Sequence, residues 1–398
     1  MTSQVVVMNK VAVALASDSS VTMSSGKQIL RSFPTAEKIF PFALPHRLAV
    51  LHSGSTELLQ VPYVVLLGEW HRSLTTPLAR VSEYAEAFCR WLEGLSGLFD
   101  DASQEAFLDW MIRDYFLSVR SEILKECERQ SLPAESWESP AAAAAVKSVL
   151  TQGIEHLQQL PSPPDLAGLD VDAFVKAHRQ MVQTALDRIF NDTPRSKEGD
   201  DLLHRLVAAV VSANEPFSSD ADLVFVGFGE QELFPASQVV SVGGLFDNHL
   251  KKNFWPYSAV SIDDPAYLSP YAQTEAVNTF LRGYHPDFLT AAHETLESAL
   301  TAQTHQVNDT AAPETAKYHE ELTGRFERHS WEEFVQPLVR TVAGLPGVEL
   351  ARMAESLVGL QVLRKLTRAE AETVGGPVDV ATITRADGFN WCRHKSLL

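Results

Sequence analysis

Apolar side chains follow one another with little interruption through Ser3–Met8 and Val11–Ala16, and only Asn9 and Lys10 separate the two runs. Short β-rich runs joined by an Asn able to take positive φ predict a hairpin, and their near-continuous apolarity predicts strands covered on both faces. A second pair follows at Lys38–Phe42 and Leu48–His52, and the pattern breaks at Ser53-Gly54-Ser55. Beyond the break a helix is predicted through Leu58–Trp70, capped by Ser55 or Thr56 with Glu57 in its first turn. Pro62 fits only near the start of that helix. The predicted order is four strands, then a helix.

The period then changes. Glu83–Leu95, Ser103–Glu128, Ala141–Leu160, Val171–Phe190 and Asp200–Ala213 repeat apolar positions at three- and four-residue steps, as Phe107, Trp110, Met111, Tyr115 and Phe116 do. Proline-bearing breaks at Pro133, Pro140, 161–164 and Pro194 divide these helices. Strand patterning returns at Leu223–Gly229 and Glu232–Gly243.

Composition narrows the class. The 398 residues are 45% hydrophobic with 20 Gly, 21 Pro and 3 Cys, which excludes collagen-like, disordered and disulfide-scaffold chains. A chain of this length implies two or at most three units. The net charge of −18 repels phosphate backbones and argues against general nucleic-acid binding. No apolar run reaches the ~18 residues that span a bilayer. Cys89, Cys127 and Cys392 are scattered without CxxC spacing and read as reduced thiols of a cytoplasmic protein. A competing pattern is that of a signal peptide, with Lys10 before a short apolar core ending in Ala14 and Ala16.

Thr2 supplies the candidate chemistry. Removal of Met1, normal before a small side chain, would leave an amino-terminal Thr carrying a hydroxyl nucleophile and a free α-amine. That amine has an unperturbed pKa of about 7.7–8.0 and can serve as general base to its own hydroxyl. Such a pair needs a nearby cation, an acid to hold the cation, and an oxyanion donor. Lys38 opens the third strand, Asp18 ends the second, and the Gly54 N–H lies at the strand-to-helix break; these are the candidates. Each also has an ordinary reading as a turn residue.

At these positions the sequence resembles a proteasome β-subunit and its bacterial peptidase relatives, the N-terminal nucleophile hydrolases. The resemblance rests on Thr2, on Val11–Ala16 leading into Ser17-Asp18-Ser19 and Thr22, on Lys38-Ile39, and on Ser53-Gly54-Ser55. A second block carries it at the far end: Val374-Gly375-Gly376-Pro377-Val378-Asp379-Val380, then Ile383-Thr384 and Asp387-Gly388-Phe389, after a helix from about Glu349 to Ala371. The resemblance implies an α+β fold, a four-layer αββα sandwich with a large α-helical insertion. Its core would be 1–76 and 218–398, and the insertion 77–217. It implies amide-bond hydrolysis of a peptide or protein substrate through an acyl-enzyme on Thr2. Lys38 would tune the proton transfer, Asp18 orient Lys38, and Gly54 donate to the oxyanion, with Val21, Ala36 and His52 lining the pocket. It further implies homo-oligomers, a possible ATPase partner, and no cofactor or metal. Some positions depart from the family. Val374 stands where a serine is expected, Glu370 and Glu372 are off the spacing of the second acid, and Ser261 or Ser269 is the candidate for the central serine. The alternative is therefore a catalytically inactive proteasome-like scaffold or binding subunit.

Other signals are weaker. Gly227-Phe228-Gly229 lacks the third glycine of a dinucleotide site. No HExxH occurs, and His285, His293, His305, His319 and His329 read as a solvated helical face. Ser53-Gly54-Ser55 is not a GxSxG elbow. Phe389 and Trp391 read as core.

Overall fold

The computed structural model describes residues 2–25, 28–95, 97–132, 139–160, 170–191, 193, 196–213, 220–306, 312–367 and 375–395. The first elements are β1 (Ser3–Asn9), β2 (Ala12–Ser17), β3 (Val21–Ser25), β4 (Gln28–Phe33), β5 (Ile39–Pro41), β6 (Arg47–Gly54), β7 (Glu57–Leu58) and β8 (Val61–Pro62). Helices follow: α1 (Tyr63–Ser73), α2 (Val81–Glu93), α3 (Asp101–Arg129), α4 (Pro140–Gln159), α5 (Val171–Ala177), α6 (Arg179–Ile189) and α7 (Lys197–Ser212). Then come β9 (Ala221–Phe228), β10 (Ala236–Phe246), β11 (His249–Phe254), β12 (Ser258–Ala259) and β13 (Ala266–Ala272). The chain continues through α8 (Glu275–Arg282), α9 (Pro286–Gln306), α10 (Ala312–Ser330), a π-type turn (Trp331–Val335), α11 (Gln336–Ala343) and α12 (Gly347–Leu366). It closes on β14 (Asp379–Thr384) and β15 (Gly388–Arg393).

The result is a mixed α/β protein on two antiparallel sheets. One runs β13-β1-β2-β14-β15 and the other β11-β10-β9-β6-β5, with β12 pairing β10. The near-continuous apolarity of the opening strands is explained by what covers them. On β1, Val5 and Val7 face one way with Leu350, Ala354 and Val358 of α12, while Val6 and Met8 face the other way with Leu51, Val224 and Val226 of the second sheet. Period-two alternation therefore buries both faces of the strand. The outer face of the second sheet, at Val50, Leu223 and Phe225, packs on Tyr63, Leu66 and Trp70 of α1 and Tyr84 and Phe88 of α2. Helices α3 to α7 share a separate cluster that reaches Phe246 of β10. Among the described residues no helix is long and apolar enough to cross a membrane.

Several local expectations differ from the structure for identifiable reasons. The helix predicted from Leu58 begins at Tyr63, because Leu59 and Gln60 take positive φ in a tight turn and Pro62 stands at the N-cap. Ser55 caps nothing; its hydroxyl bonds the Glu57 backbone. The strand predicted from Glu232 begins at Ala236, since the Glu232 carboxylate closes a turn by accepting N–H groups of Gly229 and Val81, each at 2.9 Å. Near its end β10 bulges at Gly244, where φ is +133° and a Cβ would lie 2.3 Å from the Phe107 ring of α3. Pro270 sits in β13, an edge strand, where a missing N–H is tolerated.

The β1–β2 turn uses the Asn9 side chain rather than a positive φ. Its Oδ1 accepts from Val11 N (2.9 Å) and Ala12 N (3.2 Å), and its Nδ2 donates to the carbonyls of Val342 (2.9 Å) and Leu345 (2.8 Å) between α11 and α12. Asn9 is fully buried, so Asn9→Ala leaves several polar groups without partners and is expected to cost about 3 kcal/mol. Urea unfolding checks this; a loss below about 1 kcal/mol contradicts the role of the turn.

Candidate active site

Asp18 follows directly on β2 and is wholly buried. Its carboxylate gathers three backbone N–H groups: Ser3 on Oδ1 at 2.9 Å, and Ser20 and Gly375 on Oδ2, both at 3.2 Å. The Lys38 ammonium joins the same Oδ1 at 2.8 Å. The Ser3 nitrogen belongs to the peptide that joins it to Thr2, so the lysine ammonium stands beside the start of β1. The amino-terminal and Gly375-Gly376 blocks meet on this one carboxylate.

Thr2 continues the strand geometry, for its carbonyl accepts the Gln273 N–H at 2.8 Å beyond the end of β13. Side chains alternate along a strand, so Thr2 shares the inter-sheet face with Gln4, Val6 and Met8. Gln4 is buried there and reaches across to the second sheet. Its Nε2 donates to the His52 carbonyl at 2.9 Å and approaches the Lys38 carbonyl and Ser17 Oγ at 3.4 Å. A lone amide in an otherwise apolar run was the available sequence signal for this bridge.

Gly54 is tied to the group through β6, two residues beyond the carbonyl that Gln4 holds. The His52 N–H donates to the Lys38 carbonyl and the Ser55 N–H to Asp220 on the opposite edge. The alternation of an antiparallel ladder then turns the Gly54 N–H toward the edge that carries Lys38. Gly54 has φ of +83°, and a Cβ on it would lie 2.2 Å from the Asp220 carbonyl, so the position demands glycine. Val21 and Ala36 are half-buried nearby in chain, with Ala36 N bonded to the Ser19 carbonyl at 2.9 Å. Ser269 stands opposite Val6 in β13, whereas Ser261 closes an exposed turn with Asp264. Met1, Glu370, Glu372 and Val374 lie outside the described residues.

Burial shapes the electrostatics. It pushes the Lys38 ammonium below its ordinary pKa, while the Asp18 carboxylate pulls it back up. Burial also drives His52 down to about 4, despite its Nε2 hydrogen bond to the Ser55 carbonyl, and the Lys38 charge adds to the depression. His52 is therefore a neutral ring at pH 7.

A second ion-pair group adjoins the first and was not foreseen from the sequence. Lys395, after β15, pairs through its ammonium with Asp379 of β14 and with Glu37 Oε1 at 3.3 Å. Glu37, Asp379 and His394 bring donor atoms within 4.8 Å of one another, but the lysine already supplies the positive charge that a metal would bring. A carboxylate inside a buried strand calls for a cation; its identity, sixteen residues on, was not readable. Three of the histidines read as a solvated face are partnered: His285 with Glu275 at 2.6 Å, and His293 with His319 at 2.8 Å.

No family model matches the chain, and no curated protein does. Among solved structures it is similar to an Anbu (Gly-1) mutant from Hyphomicrobium sp. strain MC1, at 10% identity over the whole of this chain and 87% of that one, with a TM-score of 0.29. A likeness that loose carries no argument about chemistry.

The His52 shift has a pH consequence. The unfolded chain binds this proton below its ordinary 6.5 and the folded chain only below about 4, so the unfolded state holds more protons between those values. The His52 contribution is complete above pH 6.5 and is lost as pH falls toward 4, by on the order of 3 kcal/mol. Urea unfolding at pH 7 and 4.5 is expected to show a smaller acid loss for His52→Asn than for the wild type; equal losses contradict the burial argument.

Proposed function

We propose that this chain is a proteasome-like N-terminal nucleophile hydrolase that cleaves amide bonds with Thr2. The observation that carries this reading is the buried Lys38–Asp18 pair at 2.8 Å, sharing one carboxylate oxygen with the amide that follows Thr2. The two inter-packed sheets, with α12 on one outer face and α1 and α2 on the other, support reading the fold as the four-layer αββα sandwich. Helices α3 to α7 would be its insertion.

In this mechanism cleavage of the Met1–Thr2 bond frees the Thr2 amine. The amine takes the Oγ1 proton as Oγ1 bonds to the substrate carbonyl carbon, and the Gly54 N–H stabilises the oxyanion. The scissile C–N bond breaks as the leaving amine takes that proton, and an ester on Thr2 remains. Water, deprotonated by the same amine, attacks the ester carbon; the C–Oγ1 bond breaks as Oγ1 takes that proton back, and the acid leaves. Lys38 keeps a positive charge beside the amine and so favours its unprotonated form, and Asp18 keeps Lys38 in place. The same reading takes a peptide or protein substrate, a homo-oligomer and a cytoplasmic setting, with an ATPase as a possible feeder.

Intact mass of the purified protein after treatment with an epoxyketone or β-lactone tests it. The expected result is a chain lacking Met1 that gains one adduct, mapped to Thr2. Thr2→Ala is expected to abolish the adduct and Lys38→Ala to slow its formation at least about a hundredfold. Retained Met1 without an adduct would exclude the enzyme and leave an inactive scaffold.

A further inference from the structure

Both residues of the Asp18–Lys38 pair have a chain neighbour that reaches the same strand. Ser19, next to Asp18, donates its hydroxyl to the Pro377 carbonyl at 2.7 Å and lies 3.4 Å from Asp379 Oδ2. Glu37, next to Lys38, meets the Lys395 ammonium at 3.3 Å. Lys395 is in turn fixed on Asp379 twice, by its ammonium on Oδ2 and by its backbone N–H on Oδ1 at 2.8 Å. The side chains of Lys395 and Asp379 are 1% and 2% exposed, so this ion pair is as dry as the one it adjoins.

We propose that Lys395 is a positioning residue for Lys38, holding the Glu37–Lys38 segment to β14 so that the Lys38 ammonium stays on Asp18 beside Thr2. The proposal deepens the hydrolase reading and rests on it for its catalytic consequence. The geometry leaves Lys395 no other visible role: its side chain is spent wholly on two carboxylates, one adjoining Lys38 in the chain and one in the strand beside Ser17.

The charged and titratable groups facing Lys38 are Asp18 after β2, Asp379 on β14, Lys395 after β15 and the neutral His52 on β6. Lys395 pushes the Lys38 pKa down and Asp379 pulls it up. By charge alone, neutralising Lys395 would let Lys38 hold its proton to higher pH, but a Lys38 released from Asp18 loses a pull larger than that push, so its proton leaves at lower pH. Since the mechanism uses charged Lys38, the alkaline limb of Thr2 reactivity moves downward with it.

The test compares Lys395→Met and Lys395→Arg with the wild type in β-lactone labelling across pH, alongside a lysine side-chain ¹⁵N NMR titration of Lys38. For Lys395→Met the expected results are labelling slowed about tenfold at pH 7 and a downward shift, by about one pH unit, of both the alkaline limb and the Lys38 titration. Lys395→Arg, which restores the charge and the carboxylate contacts, is expected to rescue all three. A Lys395→Met protein with a wild-type rate, or with an upward Lys38 shift, overturns the proposal. If Lys395→Met fails to fold, Asp379→Asn/Lys395→Met removes both buried charges together; the proposal expects its labelling to be slow at pH 7, and a wild-type rate overturns it. Should the wild type itself take no adduct, the hydrolase reading fails, and the Lys38 titration alone decides the positioning role: no shift, or an upward one, overturns it.

Discussion

The buried carboxylate of Asp18 is the constraint on which the rest of this structure turns. A carboxylate without water must be surrounded by donors, and here it takes the N–H groups of Ser3, Ser20 and Gly375 together with the Lys38 ammonium. Those donors come from the start of β1, the end of β2, the approach to β14 and the approach to β5. One anion thus fixes the mutual placement of four segments that lie far apart in the chain. Removing one partner of such a pair costs about 3–5 kcal/mol, because the other charge is left dry. The node is therefore a structural obligation as well as a candidate centre of chemistry.

That double role explains why the neighbouring polar groups are arranged as they are. Gln4 would be expensive between two apolar sheet faces, yet its amide spans them by reaching the His52 and Lys38 carbonyls. It ties β1 to β6 and to the approach to β5, where Gly54 and Lys38 reside. His52 stays neutral through burial, so the lysines remain the cations of this region. Two buried carboxylates, two lysines and a neutral imidazole give a local field that solvent screens poorly.

Much of this was legible in the sequence, and the limits have physical causes. The opening hairpin could be read because apolar runs broken by Asn9 admit few alternatives, and Asp18, Lys38 and Gly54 stand at the ends of readable strands. The structure brings Asp18 and Lys38 together beside Thr2. What could not be read depends on long-range partners. β13 contains Pro270 and polar residues, and is a strand because β1 offers it an edge. The two-residue β7 and β8 depend on positive φ at Leu59 and Gln60, neither of which advertises that conformation. Gln4, Asp379 and Lys395 are unusual only once their burial is known.

The convergence of both chain ends on one layer also limits what the helices can do. β14 lies beside β2 through the register Asp379 to Ser17, so the last strands complete the sheet that the first strands begin. The full set of donors thus needs nearly the whole length of the chain, since Asp18 gains the last of its three backbone donors only when Gly375 arrives. Helices α3 to α7 attach instead around the β10–β11 turn, at Phe246, at Asn248 through Gln104, and at Lys251 through the Val210 carbonyl. Among the described residues they contribute none of the donors on Asp18 and none of the partners of Lys395. A change in their packing can reach the site along the β10–β9–β6 ladder or through Asp220, which follows α7 and whose carbonyl holds the Ser55 N–H beside Gly54. Rigid β-ladders transmit displacement poorly unless a register has two stable arrangements. The antiparallel pairing of β9 with β6 runs without interruption from Arg47 to Gly54, and so offers no second register.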